Sequence, residues 1–411
     1  MFICFRRETM ASSSQSGYFS QQEINKLQTT YDQGGLSEFA TQIGKKLNDI
    51  ENAKLNIAVT GETGAGKSTF INAMRGLRGC DEGAAKIGNI ETTMERTPYK
   101  HPTFPNVCFW DMPGVGSLEF PMNDYVSKME FTTYDFFIII SQNRFTENDA
   151  NVAKEIQNLG KKFYFVRSQI DNAFSSSERQ GVYFDRMTEL DKMKQNISCG
   201  LTKAGISKPI IFLISSLSLN EFHFPQLRET LLNNLDKIKK DVLLMSLPNT
   251  TVKIVELKRA QLKERIWMLA TVSAAVGVLP VPGLTVAVNL GILVAAIIGF
   301  RKSLGLDDAS LQRLANVTKK PVEFLKAEVR TPLMDEINKE FVTKMLLRPG
   351  FAAVSAVEMV LDPIPIIGSI FGAASSFAMI SKLLTDVLDD LVENAQRVVT
   401  VAFATDPGHP Q

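Results

Sequence analysis

Eight residues, Gly61-Glu62-Thr63-Gly64-Ala65-Gly66-Lys67-Ser68, follow the apolar run Leu55 to Thr60 with the spacing G-x-x-x-x-G-K-S. The chemistry open to such a stretch is holding a phosphate chain. Successive backbone N–H groups reach phosphate oxygens only where side chains leave the turn uncrowded, and a helix starting near Lys67 adds the positive end of its dipole. Lys67 is then a point charge for the outer phosphates and the Ser68 hydroxyl a direct Mg2+ ligand, with Thr69 completing the nucleotide-binding set. Alone, the motif leaves ATP and GTP equally open.

Further candidates sit directly after other apolar runs, where a parallel sheet presents its ligand-binding edge. After Val107 to Trp110 comes Asp111-Met112-Pro113-Gly114, a D-x-x-G pattern. Its carboxylate is expected to hold Mg2+ through water and its Gly114 N–H to face the γ-phosphate. Between this turn and Ser68 lies Glu91-Thr92-Thr93, expected to be a switch loop. Thr93 is the first choice, and Thr92 the second, for a hydroxyl that caps Mg2+ while a γ-phosphate is present.

After Phe163 to Val166 comes Ser168-Gln169-Ile170-Asp171, where guanine-specific proteins carry [NT]-K-x-D. Asp171 keeps the carboxylate that accepts from the guanine ring N–H and amino group. Gln169 offers an aliphatic stem to the ring but no cation, so guanine preference with weaker binding is expected. Ser215-Ser216, after Ile210 to Ile214, are expected to hold the base through their backbone. No carboxamide follows Gly114, since the next residues are Val115-Gly116. Hydrolysis needs a water held in line, so the protein is expected to be slow alone and to gain a group from a second copy. Glu91 is the candidate that positions water or completes that contact.

The elements that must position these residues read as an α/β unit. The runs at Val107–Trp110, Phe136–Ile140, Phe163–Val166 and Ile210–Ile214 are short and continuously apolar, as buried parallel strands are, and the mostly apolar Leu55–Thr60 is the strand before the P-loop. Helix-like stretches alternate with them. Residues 1–20 read as disordered, being polar and Ser-rich. Residues 21–52 read as two helices broken at Gly34-Gly35, 53–237 as the nucleotide domain, 238–405 as a helical domain and 406–411 as a tail. The 411 residues carry a net charge of +1, which gives no field of one sign for nucleic acid. Four scattered cysteines suit a reducing compartment. The expectation is a cytoplasmic protein with no secretory signal in Met1 to Arg7, and with Phe2 where myristoylation needs Gly.

Trp267 to Phe300 contains no charged residue, yet Pro280 and Pro282 divide it. Arms of about 13 and about 18 residues reach roughly 20 and 27 Å, short of the roughly 30 Å hydrocarbon core. The pattern helix, P-x-P corner, helix recurs around Pro363 and Pro365, so two hairpins packed in one bundle are expected, with a membrane-inserting hairpin as the alternative. Leu384, Val387, Leu388, Leu391, Ala395 and Val398 mark the packed face of a last helix with acidic residues mostly off it, unlike a membrane-surface helix.

The segments G-E-T-G-A-G-K-S-T-F-I-N-A from Gly61, E-T-T-M-E-R-T-P-Y from Glu91, F-W-D-M-P-G-V-G-S from Phe109, Y-D-F-F-I-I-I-S from Tyr134 and Y-F-V-R-S-Q-I-D from Tyr164 resemble the immunity-related GTPases. That interferon-inducible family guards against pathogens living in vacuoles, and the resemblance extends over nearly the whole chain. Lys67 is similar to the conventional subgroup; Gln169 departs from the usual Lys. The resemblance implies a P-loop GTPase domain of mostly parallel sheet with helices on both faces, beside an all-helical domain built from N- and C-terminal segments. It also implies GTP/GDP and Mg2+ as cofactors, and GTP-dependent self-assembly into dimers or oligomers on intracellular membranes with family members as regulators. A nucleotide-gated scaffold with negligible turnover and a dynamin-like membrane remodeller are the competing readings.

Overall fold

A computed structural model describes residues 18–88, 95–114, 122–142, 145–179, 181, 185–277, 284–334, 336–346 and 375–404. In chain order its elements are α1 (Gln21–Asn52), β1 (Leu55–Gly61), α2 (Lys67–Met74), β2 (Thr97–Lys100), β3 (Val107–Asp111), α3 (Met122–Lys128), β4 (Phe136–Ser141) and α4 (Glu147–Asn158). There follow β5 (Phe163–Arg167), α5 (Ile170–Arg179), α6 (Arg186–Lys203), β6 (Ile211–Leu213), α7 (Phe224–Asn234), α8 (Lys237–Ser246) and α9 (Val252–Gly277). The last are α10 (Leu284–Ser303), α11 (Asp308–Thr318), α12 (Val322–Ala327), α13 (Lys339–Leu346) and α14 (Ser375–Phe403). The chain divides into two compact units, one spanning 53–250 and 313–320, the other taking the remainder.

The first unit holds one six-stranded sheet in the order β2-β3-β1-β4-β5-β6. All pairings are parallel except that of β2 with β3. The five short apolar runs became the five parallel strands because each is covered on both faces. Alternate residues Ala58, Phe137, Ile139 and Phe165 pack with Val152, Ile156, Leu190 and Ile197 of α4 and α6. On the other face Phe70 of α2 meets Phe224 of α7, ring centroids 6.1 Å apart. The sixth strand, β2, carries no apolar run. Its residues Thr97-Pro98-Tyr99-Lys100 alternate between half-buried and exposed, and Pro98 is tolerated because the strand lies at the sheet edge.

The sheet-bearing unit runs to Thr250, past the boundary at 237 expected from the sequence. The cause is α8, whose Val242, Leu243, Leu244 and Met245 are buried and which packs on β1 and β3.

In the second unit α9 is the central element, packing on α1, α10 and α14. Gly35 breaks α1 with φ 67° and ψ −161°, where a residue with a Cβ is strained. Its two segments lie side by side, with Lys46 Nζ 2.6 Å from Glu23 Oε1. Tyr18 and Phe19 depart from the expected disorder of residues 1–20. Tyr18 is buried and accepts from Arg265 Nε at 3.3 Å, and Phe19 packs edge-on against Trp267. Two large aromatic side chains offset the entropy that the serines before them cannot. Residues 1–17 lie outside the described residues.

Leu384, Val387, Leu388, Leu391, Ala395 and Val398 of α14 are all buried. Among the described residues no helix is long and apolar enough to cross a membrane. The two arms expected within Trp267 to Phe300 belong to α9 and α10; the P-x-P corner between them, and the second hairpin around Pro363, lie outside the described residues.

Candidate functional site

The carboxyl ends of β1, β3, β4 and β5 bring the candidate residues to one edge of the sheet. Gly61 ends β1 at φ 133°, and a Cβ there would fall 1.9 Å from the Ile140 carbonyl oxygen of the neighbouring strand. Only glycine lets the chain leave the sheet at this point. Gly66, at φ 91°, is the left-handed residue before α2, and no side chain caps the helix start. The first N–H groups of α2 therefore face outward beside the turn, the arrangement that receives an anion. Lys67 is buried and donates to the carbonyl oxygens of Gly61 at 3.1 Å and Glu62 at 2.9 Å, folding its ammonium over the turn.

Ser68 and Asp111, predicted to share a cation, are in contact, the Ser68 hydroxyl donating to Asp111 Oδ2 at 2.7 Å. Asp111 is buried at the end of β3. A hydroxyl and a carboxylate are the hard oxygen donors that Mg2+ selects, so this pair fits the ion. Gly114 lies directly against the P-loop: a Cβ on it would stand 2.2 Å from Thr63 Oγ1 and 3.1 Å from the Thr63 nitrogen. A side chain at position 114 would push the turn away from the phosphate cradle.

The loop after β5 is tied to the P-loop more closely than its sequence foretold. The Ser168 hydroxyl donates to the Ala65 carbonyl at 2.6 Å, and its N–H donates to Ser141 at the end of β4 at 2.9 Å. Gln169 takes a left-handed backbone (φ 55°), donates from Nε2 to the Gly64 carbonyl at 3.3 Å, and accepts from Gln142 at 2.9 Å. Gln169 and Ser168 are thus clamps on the P-loop. Asp171 sits in the first turn of α5. The Ile170 N–H donates to Ile214 at 3.2 Å, which draws the Ser215-Ser216 loop alongside it. Ser215 Oγ accepts from the Leu217 N–H at 3.2 Å and closes that loop as a turn, while Ser216 Oγ is buried without a partner among the described residues.

Beside the P-loop, Glu62 lines an open depression of about 760 Å3 with Thr146, Arg167, Glu189, Lys192 and Asn196. Nearby, burial pushes the Asp149 carboxyl up to about 6 despite its hydrogen bonds to Thr146. Glu91, Thr92, Thr93 and Val115-Gly116 lie outside the described residues. Residues that sequence reasoning missed are Ser141, Gln142 and the buried pair Thr60 and Tyr125, whose oxygens are 3.0 Å apart. Their only signal was position, at the carboxyl end of a strand for Thr60, Ser141 and Gln142.

A profile described as "Interferon-inducible GTPase (IIGP)" matches residues 20–401. The chain is 35% identical to Interferon-inducible GTPase 5 of Rattus norvegicus over 94% of this chain and 84% of the relative. It is 39% identical to Interferon-inducible GTPase 1 of Mus musculus over 78% and 80% of the two chains. The mouse T-cell-specific guanine nucleotide triphosphate-binding protein 2 is also 39% identical, over 84% and 82%. With the match spanning both units and the phosphate loop built as described, the chain belongs to the interferon-inducible GTPase family.

Proposed function

We propose that this protein binds GTP with Mg2+ and hydrolyses it to GDP slowly as a single copy, and that self-assembly in the GTP state on intracellular membranes accelerates turnover. The observation that carries this reading is the joining of three loops. Ser68 meets Asp111, Gly114 rests on Thr63, and Ser168 and Gln169 hold Ala65 and Gly64. The backbone of Gly61 to Thr69, with Lys67, holds the phosphates. Asp171 selects guanine, and Ser215 and Ser216 flank the base. Ser68, Asp111 through water, and Thr93 would hold Mg2+, which would supply positive charge to offset the negative charge on the phosphate oxygens.

The chain's own residues carry the rest. Lys67 neutralises charge on the outer phosphates, and the Gly114 N–H hydrogen-bonds the terminal one. Glu91 orients the water or completes the contact with a second nucleotide unit, because neither Val115 nor Gly116 can do so. The mixed charges around the depression beside Glu62, with Arg167 and Lys192 facing Glu189, suit a self-complementary polar contact. The relatives' names, interferon-inducible GTPases, support a role in the interferon response; regulation by family members and peripheral association with membranes complete the proposed reading. A scaffold of negligible turnover is favoured by the absent carboxamide after Gly114 and by Gln169 in place of a cation, and phosphate release from GTP at saturating protein separates the two. Turnover per molecule is expected to climb as protein concentration is raised. A constant value refutes activation by assembly.

A further inference from the structure

Tyr125 is fully buried on α3, in the core under the site. Its hydroxyl donates to the Pro113 carbonyl oxygen at 3.0 Å and stands 3.0 Å from Thr60 Oγ1 on β1. A phenol has one proton, so with that proton on Pro113 the Thr60 hydroxyl is the donor to Tyr125. The result is a directed chain from β1 through Tyr125 to the D-x-x-G turn. Burial raises the phenol's pKa, which keeps that proton in place at any physiological pH.

The Pro113 carbonyl and the Gly114 N–H belong to one planar trans peptide and point in opposite directions. Drawing the carbonyl into the core toward Tyr125 therefore turns the Gly114 N–H away from the core, at a residue that packs closely on Thr63 of the P-loop. Were the hydroxyl absent, the carbonyl would lose its buried partner and the peptide would be free to rotate.

We infer that Tyr125 is the positioning residue that aims the Gly114 N–H at the terminal phosphate and so sets the affinity for GTP relative to that for GDP. This rests on the role given to Gly114 above. GDP carries no γ-phosphate, so the Tyr125 effect is confined to the triphosphate.

The test is calorimetric titration of the full chain, with Mg2+, against GDP and a non-hydrolysable GTP analogue. Tyr125→Phe is expected to weaken the analogue about five- to tenfold while GDP stays within about twofold. Thr60→Val, nearly isosteric, removes only the first link and is expected to weaken the analogue about two- to threefold; it decides the matter if Tyr125→Phe does not fold. Tyr164→Phe is the control for the loss of a buried phenol, because Tyr164 donates to Thr230 at 2.9 Å away from the turn. It is expected to lower stability and leave the affinity ratio unchanged. Equal losses for both nucleotides in Tyr125→Phe, or in Thr60→Val where that variant decides, overturn the inference. Gly114→Ala tests the reading beneath it: a loss selective for the analogue there, without one in Tyr125→Phe, removes Tyr125 alone. No selectivity in Gly114→Ala removes the role of Gly114 and the inference with it.

Discussion

Replacing Gln169 by Lys is expected to tighten binding of both GDP and GTP about fivefold. Gln169 reaches the Gly64 carbonyl with a neutral amide at 3.3 Å, a long contact. A neutral hydrogen bond nets about 1 kcal/mol and a charged one roughly 1.5–3. An ammonium near the face of a base adds about 0.5–1 kcal/mol at a half-exposed site. Part of the stronger bond to Gly64 is already present without nucleotide and does not count toward affinity, which leaves about 1 kcal/mol, or roughly fivefold. The bonds lost to Gln142 and Asn172 are on the surface and cost little. The backbone cost at φ 55° is the same for either residue. Equilibrium titration with fluorescent GDP and a GTP analogue reads the effect, and the ratio of the two affinities is expected to stay constant. Unchanged affinity for both nucleotides would refute the idea that the missing cation at this position weakens binding.

Asp171→Asn is expected to weaken guanine nucleotides by at least about tenfold, since a carboxylate accepting two donors gives way to an amide that repels one of them. Competition with xanthosine triphosphate, whose ring offers an acceptor in place of the amino group, is expected to improve in the same variant. Lys258, fully buried on α9 and donating to the Ser303 carbonyl at the end of α10, has its pKa driven down from 10.5 to about 7 by desolvation. Between those values the unfolded chain holds a proton the folded one does not, so stability rises with pH across that window. Lys258→Met is expected to raise stability at pH 7 by roughly 1–4 kcal/mol, with the gain shrinking toward pH 10. Thermal unfolding at pH 7 and 9.5 checks both the sign and the trend.

Much of the architecture was legible because the relevant signals are local. A strand covered on both faces needs a largely apolar run, and the five parallel strands all carry one, interrupted in β1 by the half-buried Asn56, which accepts from Trp110 Nε1. β2 carries none, since only one of its faces is covered: Thr97 and Tyr99 are half-buried while Pro98 and Lys100 are exposed. The extension of the nucleotide unit through α8 is not legible for a related reason: an amphipathic helix shows that it has a buried face but not which unit covers it. Nothing local separates Tyr18 and Phe19 from the polar residues before them, because their partners Arg265 and Trp267 lie about 250 residues away.

The sequence by itself determined the phosphate loop, the D-x-x-G turn and the loop that carries Asp171, because each is built from residues adjacent in the chain and, in the first two, from a backbone shape that glycine spacing dictates. Only the tertiary structure decided how these loops act together. Ser168 and Gln169, read as base contacts, are also braces for the P-loop, and Tyr125, silent in the sequence, bridges β1 to the turn before Gly114. Hydrogen bonds between residues 12 to 105 positions apart leave no local pattern; they exist because the sheet order places β1 between β3 and β4 and delivers their carboxyl ends to one edge.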